Sequence, residues 1–164
     1  TKNMNELLIS YYRNNYKLNA CYGVLFNHDS EFRKKKFLYK ILYDFFKKKK
    51  FPKSLKIRNI NDIKYRSNAK ILIEVIWSIL NKKVVDDYII SSDKPYSVED
   101  LINNLAKLNN IDLVWSKKDG KFKIYNKKKI IIFGNIKKNK YKIKPNLTKL
   151  KNNLKINPKK LRLF

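Results

Sequence analysis

Between residues 4 and 18, Leu7, Leu8, Tyr11, Tyr12 and Tyr16 fall three and four apart, which predicts a helix. The run from Ala20 to Phe26 that follows is short and apolar enough for a buried strand. Helical spacing returns at Phe37, Leu38, Ile41, Leu42, Phe45 and Phe46, with lysine runs on either side, and Pro52 closes that element. Leu55 to Ile60 reads as a strand. Ala69 to Leu80 reads as a helix with Leu72, Ile73, Ile76, Trp77 and Leu80 on one face. Val84 to Ser91 reads as a parallel strand covered on both sides. Ser97 stands as an N-cap with Asp100 three residues on, opening a helix over Val98 to Leu108 and then a strand over Ile111 to Trp115.

Helices and strands alternate to this point, which predicts an α/β layered arrangement. The remainder changes character. Lys121 to Tyr125 and Ile130 to Phe133 flank a lysine run and read as a hairpin or a pair of extended segments. Leu147 to Leu154 reads as a short helix, and Pro158 to Phe164 as an extended basic tail. There is no internal repeat.

Composition changes the picture at one point. The 164 residues hold 43% apolar and 13% aromatic side chains, enough for a core, but 40 basic against 13 acidic residues leave a net charge of +27. Like charges at this density call for a neutralising partner, and phosphate is the natural one, because Lys and Arg release condensed counterions when they bind nucleic acid. The basic runs are Lys34, Lys35 and Lys36; Lys47, Lys48, Lys49 and Lys50; Lys127, Lys128 and Lys129; Lys137, Lys138, Lys140 and Lys142; and Lys159 and Lys160. All of these are candidate RNA contacts. Tyr39, Phe51, Tyr125 and Tyr141 lie near the runs but read as core or interface residues in preference to base-stacking ones.

Cys21 and His28 are the single cysteine and histidine, so sites needing two imidazoles or several thiolates are excluded within this chain. No cofactor or metal is expected. No stretch reaches the roughly 18 consecutive apolar residues of a spanning helix, and nothing at Thr1 resembles a targeting segment. Heavy use of Lys, Asn and Ile points to an AT-rich coding genome, which fits an organelle among other sources.

The segment Ala20-Cys21-Tyr22-Gly23-Val24-Leu25-Phe26-Asn27-His28-Asp29-Ser30 resembles A-C-N-G-I-L-F-N-H-E-S of the GDP-mannose 4,6-dehydratases, which are extended short-chain dehydrogenase/reductases. The likeness runs upstream through Tyr12, Arg13 and Tyr16 and sets Lys2 at the Lys of the family's Y-x-x-x-K pair. Downstream, Asp86-Asp87-Tyr88-Ile89-Ile90 is similar to E-D-Y-V-I, and Ser97 to Trp115 follows the family's helix and strand at equal length. Thr148 to Lys151 and Leu154 to Pro158 are similar to the family's T-K-A-K-E-K-L-G-W-K-P, with a weak zone from about Lys117 to Lys144.

The resemblance implies a partial, truncated Rossmann-like α/β dehydratase fold: the end of the parallel sheet plus the small substrate-domain-like part, with a basic C-terminal extension. On this reading residues 1–30 are the remnant of the Rossmann half, 31–116 the substrate-domain-like part, and 117–164 the basic hairpin, short helix and tail.

The departures are as informative as the matches. The family's G-x-x-G-x-x-G loop, which sets a helix N-terminus against the NADP pyrophosphate, cannot be made from Gly23, Gly120 and Gly134. The family's Tyr would precede Thr1, leaving no catalytic residue and Lys2 as a candidate relic. Lys34-Lys35-Lys36-Phe37 replaces G-E-T-F and Lys64-Tyr65-Arg66-Ser67 replaces R-D-W-G, both segments of the nucleotide-sugar pocket. Asn27 matches a substrate-contacting Asn and is retained, although Asn27 and His28 read more simply as turn residues held by their side-chain hydrogen bonds.

Taken together these features predict a non-catalytic component of a ribonucleoprotein. The expected setting is a mitochondrial ribosome in the organellar matrix, or otherwise the cytoplasm, with ribosomal RNA and neighbouring ribosomal proteins as partners. Two rival readings stand beside it. One is the substrate-binding half of a split dehydratase, with a separate chain carrying the missing N-terminal half. The other is an accessory subunit of an organellar membrane complex, its lysines on acidic headgroups.

Overall fold

The computed structural model describes residues 2–82, 86–139 and 143–164, and side chains from residue 4 onward. In chain order the elements are α1 (Lys2–Tyr16), β1 (Gly23–Leu25), β2 (Asn27–Asp29), α2 (Leu38–Lys47), β3 (Leu55–Ile57), β4 (Ile63–Asn68) and α3 (Ala69–Leu80). They continue with β5 (Tyr88–Ile90), β6 (Pro95–Ser97), α4 (Val98–Leu108), β7 (Val114–Lys118), β8 (Lys121–Asn126), β9 (Lys129–Asn135), α5 (Thr148–Leu154) and a 3₁₀ turn over Pro158–Leu161. Among the described residues the strands form a β1-β5 pair, a β2-β4-β6 sheet and a β3-β9-β8-β7 sheet. The α/β class expected from the pattern is the one observed.

The chain divides into two interleaved compact units. The first comprises Thr1–His28, Arg66–Lys94 and Lys144–Leu163. Its centre is the parallel pair β1-β5, in the register Gly23 to Tyr88, Val24 to Ile89 and Leu25 to Ile90. Leu72, Val75 and Ile79 of α3 pack with Tyr88, Ile90, Leu150, Leu154 and Leu161 into one core. Asn68 caps α3 by accepting from the Lys70 and Ile71 amides.

Three expectations are corrected in this unit. Helix α3 turns Leu72, Val75 and Ile79 inward, leaving Ile73, Trp77 and Leu80 exposed. The helix is apolar on two sides, so periodicity alone offers two stripes, and packing selects one. The strand expected over Val84 to Ser91 shortens to Tyr88–Ile90, with residues 83–85 outside the described ones. The chain end is not an extended tail. Leu161 and Leu163 are buried, Ser67 bridges to Arg162, and Arg162 donates twice to Asp93 at 2.9 Å. Alternating apolar residues at this end gain from burial while Lys159 and Lys160 stay exposed and hydrated.

The second unit comprises Asp29–Tyr65, Pro95–Ile143 and Phe164. Helix α2 buries Tyr39, Leu42 and Phe46 and packs on α4, which buries Leu101, Ile102 and Leu105. Burial pushes the Tyr39 phenol up to about 12, with Asp29 adding to the effect, so it stays protonated. Ser97 and Asp100 form the anticipated capping box: the Ser97 hydroxyl accepts from the Asp100 amide at 3.0 Å, and the Asp100 carboxylate accepts from the Ser97 amide at 2.8 Å.

The strand expected over Leu55 to Ile60 stops at Ile57, because the Asn59 side chain turns the backbone by accepting from the Asn61 and Lys137 amides. The strand expected over Ile111 to Trp115 begins later and runs to Lys118. The β7-β8 reversal uses Asp119 and Gly120 at φ 49 and 68, a pair suited to left-handed turn positions. The anticipated hairpin after it is present as β8-β9, reversing at Lys127 and Lys128.

Candidate functional site

In open parallel sheets, ligands bind beyond the carboxyl ends of the strands. In the first unit that end of the β1-β5 pair carries Phe26, Asn27 and His28 after β1, and Ser91 and Ser92 after β5. The opposite end is tied down by charge. The Arg13 guanidinium donates to Asp87 Oδ1 at 2.5 Å and Oδ2 at 3.3 Å, and Arg13 Nε donates to the Ala20 carbonyl at 2.8 Å. The Tyr22 amide donates to the same Asp87 oxygen at 2.7 Å, so a single carboxylate joins α1, the lead into β1 and the lead into β5. Beside it, Lys149 donates to Asp86 at 2.7 Å.

The carboxyl end is built from serine hydroxyls. Ser67, Ser91 and Ser92 are fully buried. The Ser67 hydroxyl accepts from the Ser92 amide at 3.0 Å, and the Ser92 hydroxyl bonds the Arg66 and Lys94 carbonyls, also at 3.0 Å. This network fixes where the chain leaves β5. Asn27 and His28 lie on β2 and not in a turn, both exposed, with His28 Nδ1 3.2 Å from the Phe26 carbonyl. The Asn27 side chain is thus exposed beyond the carboxyl end of β1, on a backbone held by strand pairing.

Sequence reasoning singled out Asn27 but assigned no role to Arg13, Asp87 or the serines. The one available signal was Ser91-Ser92 closing an apolar run. The Lys2 side chain, Lys140, Tyr141 and Lys142 lie outside the described residues. The other candidate lysines are all exposed: Lys34 to Lys36, Lys47 to Lys50, Lys127 to Lys129, Lys137 and Lys138 on the second unit, and Lys159 and Lys160 on the first. They are spread over both units. Lys129 donates to the Phe51 carbonyl at 2.7 Å.

Among the described residues no group of His, Cys, Asp and Glu could hold a metal ion, and no helix is long and apolar enough to cross a membrane. A dinucleotide cradle needs clustered glycines opening a helix. Here Gly23 sits in β1, Gly120 in a turn and Gly134 in β9, so these residues do not fit such a group.

The model of the GDP-mannose 4,6 dehydratase family matches residues 1–162. The chain belongs to this family. It is 30% identical over 106 residues to GDP-mannose 4,6 dehydratase 2 of Caenorhabditis elegans, covering 63% of this chain and 28% of that protein. It is 26% identical over 109 residues to the GDP-mannose 4,6 dehydratase of Drosophila melanogaster, covering 65% and 28%. The chain thus spans under a third of the length of these relatives.

Its fold is similar to that of dTDP-glucose 4,6-dehydratase from Bacillus anthracis, solved with NAD (TM-score 0.66, 15% identity, 94% of this chain and 44% of that one). It is also similar to RMD from Pseudomonas aeruginosa, complexed with NADPH (TM-score 0.69, 14% identity, 93% and 47%).

Membership of this family overturns the ribosomal and RNA-binding reading and gives no support to a mitochondrial ribosome as the setting. The physical reason is that net charge governs solubility and long-range attraction but does not identify a fold or a partner.

The three acidic anchors make a pH prediction. Lys149 holds Asp86 below the usual carboxylate range and Arg162 does the same for Asp93. At Asp87 burial pushes upward, but Arg13 and the Tyr22 amide outweigh it and the net direction is down. Carboxylates depressed in the fold stabilise it above their unfolded value of about 4, and that stability is lost as pH falls through the folded values. The melting temperature is expected to hold from neutral pH to about 5 and to drop below about 4, less steeply in Arg13→Gln and Arg162→Gln. Thermal melts across this range check it; a midpoint that rises on acidification contradicts it.

Proposed function

We propose that this chain supplies the nucleotide-sugar side of a GDP-mannose 4,6-dehydratase-type site and does not turn over substrate alone. The cofactor-binding part of the enzyme comes from outside these residues. The family match over residues 1–162 carries this reading. Asn27, exposed beyond the carboxyl end of β1, is the residue we assign to the sugar nucleotide: its amide both donates and accepts, as recognition of hydroxyl groups requires. The serine network beneath β5 is the positioning layer, holding the backbone that flanks this end of the sheet.

Titration of the chain with GDP-mannose, followed by ligand-observed NMR and by thermal shift, tests the reading. Saturable binding is expected, with a stabilisation approaching about 2.7 kcal/mol at a hundredfold excess over Kd. Asn27→Ala is expected to weaken binding by about tenfold, the loss of one or two hydrogen bonds. Incubation with GDP-mannose and NADP is expected to yield no product. No binding at millimolar GDP-mannose sinks the proposal.

A further inference from the structure

Strand β7 ends the β3-β9-β8-β7 sheet, and among the described residues its ladder partner is β8 alone. Antiparallel pairing uses the amides and carbonyls on one side of a strand. The other side of β7 therefore presents a row of backbone groups onto which an extended chain can add. Val114, Ser116 and Lys118, which share one face of the strand, are exposed, Val114 to 66%. Helix α4 runs beside this strand in the opposite direction: Lys117 donates to the Glu99 carboxylate at 2.7 Å, and Trp115 Nε1 donates to Asn103 Oδ1 at 3.2 Å. Glu99, Asn103 and Lys107 stand four apart and so share the side of α4 turned to β7. Where the helix ends, a cleft of about 500 Å³ opens between Asn103, Ala106 and Lys107 on one wall and Asp112, Leu113 and Trp115 on the other. It is large enough for a leucine or phenylalanine side chain.

An open edge, a helix alongside it and a pocket between them are the parts that strand addition uses: main-chain bonds supply affinity, and a seated side chain sets the register. Charge selects the incoming chain. Lys118 on β7 and Lys121 and Lys123 on β8 are exposed, with Lys121 opposite Lys118 and Lys123 opposite Ser116, and Lys107 is exposed at the cleft. The exposed acids nearby are Asp112 and Asp119. We propose that the β7 edge and the α4 cleft form a docking site for an extended acidic peptide, which adds to the sheet beside β7 and seats one apolar side chain against Trp115. A second copy suits the edge poorly, because it carries the same +27 charge and sets these lysines against their own kind. The site lies within the second unit and does not depend on nucleotide-sugar binding.

Fluorescence anisotropy of the whole chain tests this, with a short labelled peptide in which glutamate alternates with valine around a central leucine. Saturable binding is expected. N-methylation of alternate peptide amides, on the side that pairs with β7, is expected to weaken it about tenfold or more, and replacing the glutamates by lysines to abolish it. Lys107→Glu/Lys118→Glu is expected to weaken binding about tenfold. Lys159→Glu/Lys160→Glu, the same change of charge at exposed positions in the other unit, is expected to alter it by less than about twofold. Hydrogen exchange in the complex is expected to slow at the amides of Val114–Lys118, and circular dichroism confirms that the variants remain folded. Equal weakening by the two double variants marks diffuse charge attraction and overturns the proposal. Indifference to N-methylation, protection elsewhere than β7, or no binding at millimolar peptide overturns it as well. A chain that dimerises without peptide, with the slowed amides on β7, gives the edge to a second copy and has the same consequence.

Discussion

Phe46→Ala is expected to destabilise the second unit by about 3–5 kcal/mol, the cost of removing a fully buried aromatic side chain and leaving a cavity. Phe46 is completely buried on α2, a helix that packs on α4, with Phe45 and Phe51 at ring-centroid distances of 5.4 and 6.3 Å in edge-on geometry. Its loss removes apolar burial and two ring contacts together, and total stability of a domain is only about 5–15 kcal/mol. Phe32→Ala, at an exposed position in the same unit, is expected to stay within about 0.5 kcal/mol. Chemical denaturation measures both. Hydrogen exchange is expected to show faster opening in α4 as well as α2, because the two helices pack on each other. A Phe46→Ala variant as stable as the Phe32→Ala control refutes the packing described here.

Gly134→Ala is expected to cost about 1–3 kcal/mol, as overpacking does, and to lower the melting temperature by roughly 3–10 °C for a chain of this size. Gly134 lies in β9 opposite Ile57 of β3 in the parallel register. A Cβ there would collide with the Ile57 carbonyl, and it would also meet the Phe122 ring at 3.0 Å. Backbone cannot rotate aside as a side-chain tip can, so the two strands must separate. Gly120→Asn serves as the contrast: Gly120 has φ +68, a conformation Asn tolerates, and a Cβ there would meet the Ile136 carbonyl only at an ordinary contact distance of 3.9 Å. An unchanged melting temperature in Gly134→Ala would show that β3 and β9 do not approach as described.

Gly134 also shows where sequence reading stops. As one of three scattered glycines it told against a nucleotide loop, which required only their positions along the chain. Its structural task depends on β3, more than seventy residues earlier, and no local pattern encodes that approach. The charge-based reading failed for a related reason. Lysine runs are visible in any sequence, but on this fold the described ones are exposed on both units, and charge density carries no fold information.

The local alphabet of this protein is set by short-range chemistry. Helical spacing marks α2 and α4, Ser97 and Asp100 mark the α4 start, the apolar runs beside Lys127 to Lys129 mark the last hairpin, and the dehydratase likeness around Asn27 marks the family. Each of these depends on residues within a few positions of one another, where sterics and hydrogen bonding act directly. Long-range contact settled the rest: which stripe of α3 faces inward, the burial of Leu161 and Leu163 in place of a free tail, the Arg13–Asp87 tie, and the exposure of α1 and β1. Those outcomes depend on competition among distant apolar surfaces for the same core, and that competition is decided only when the chain is packed.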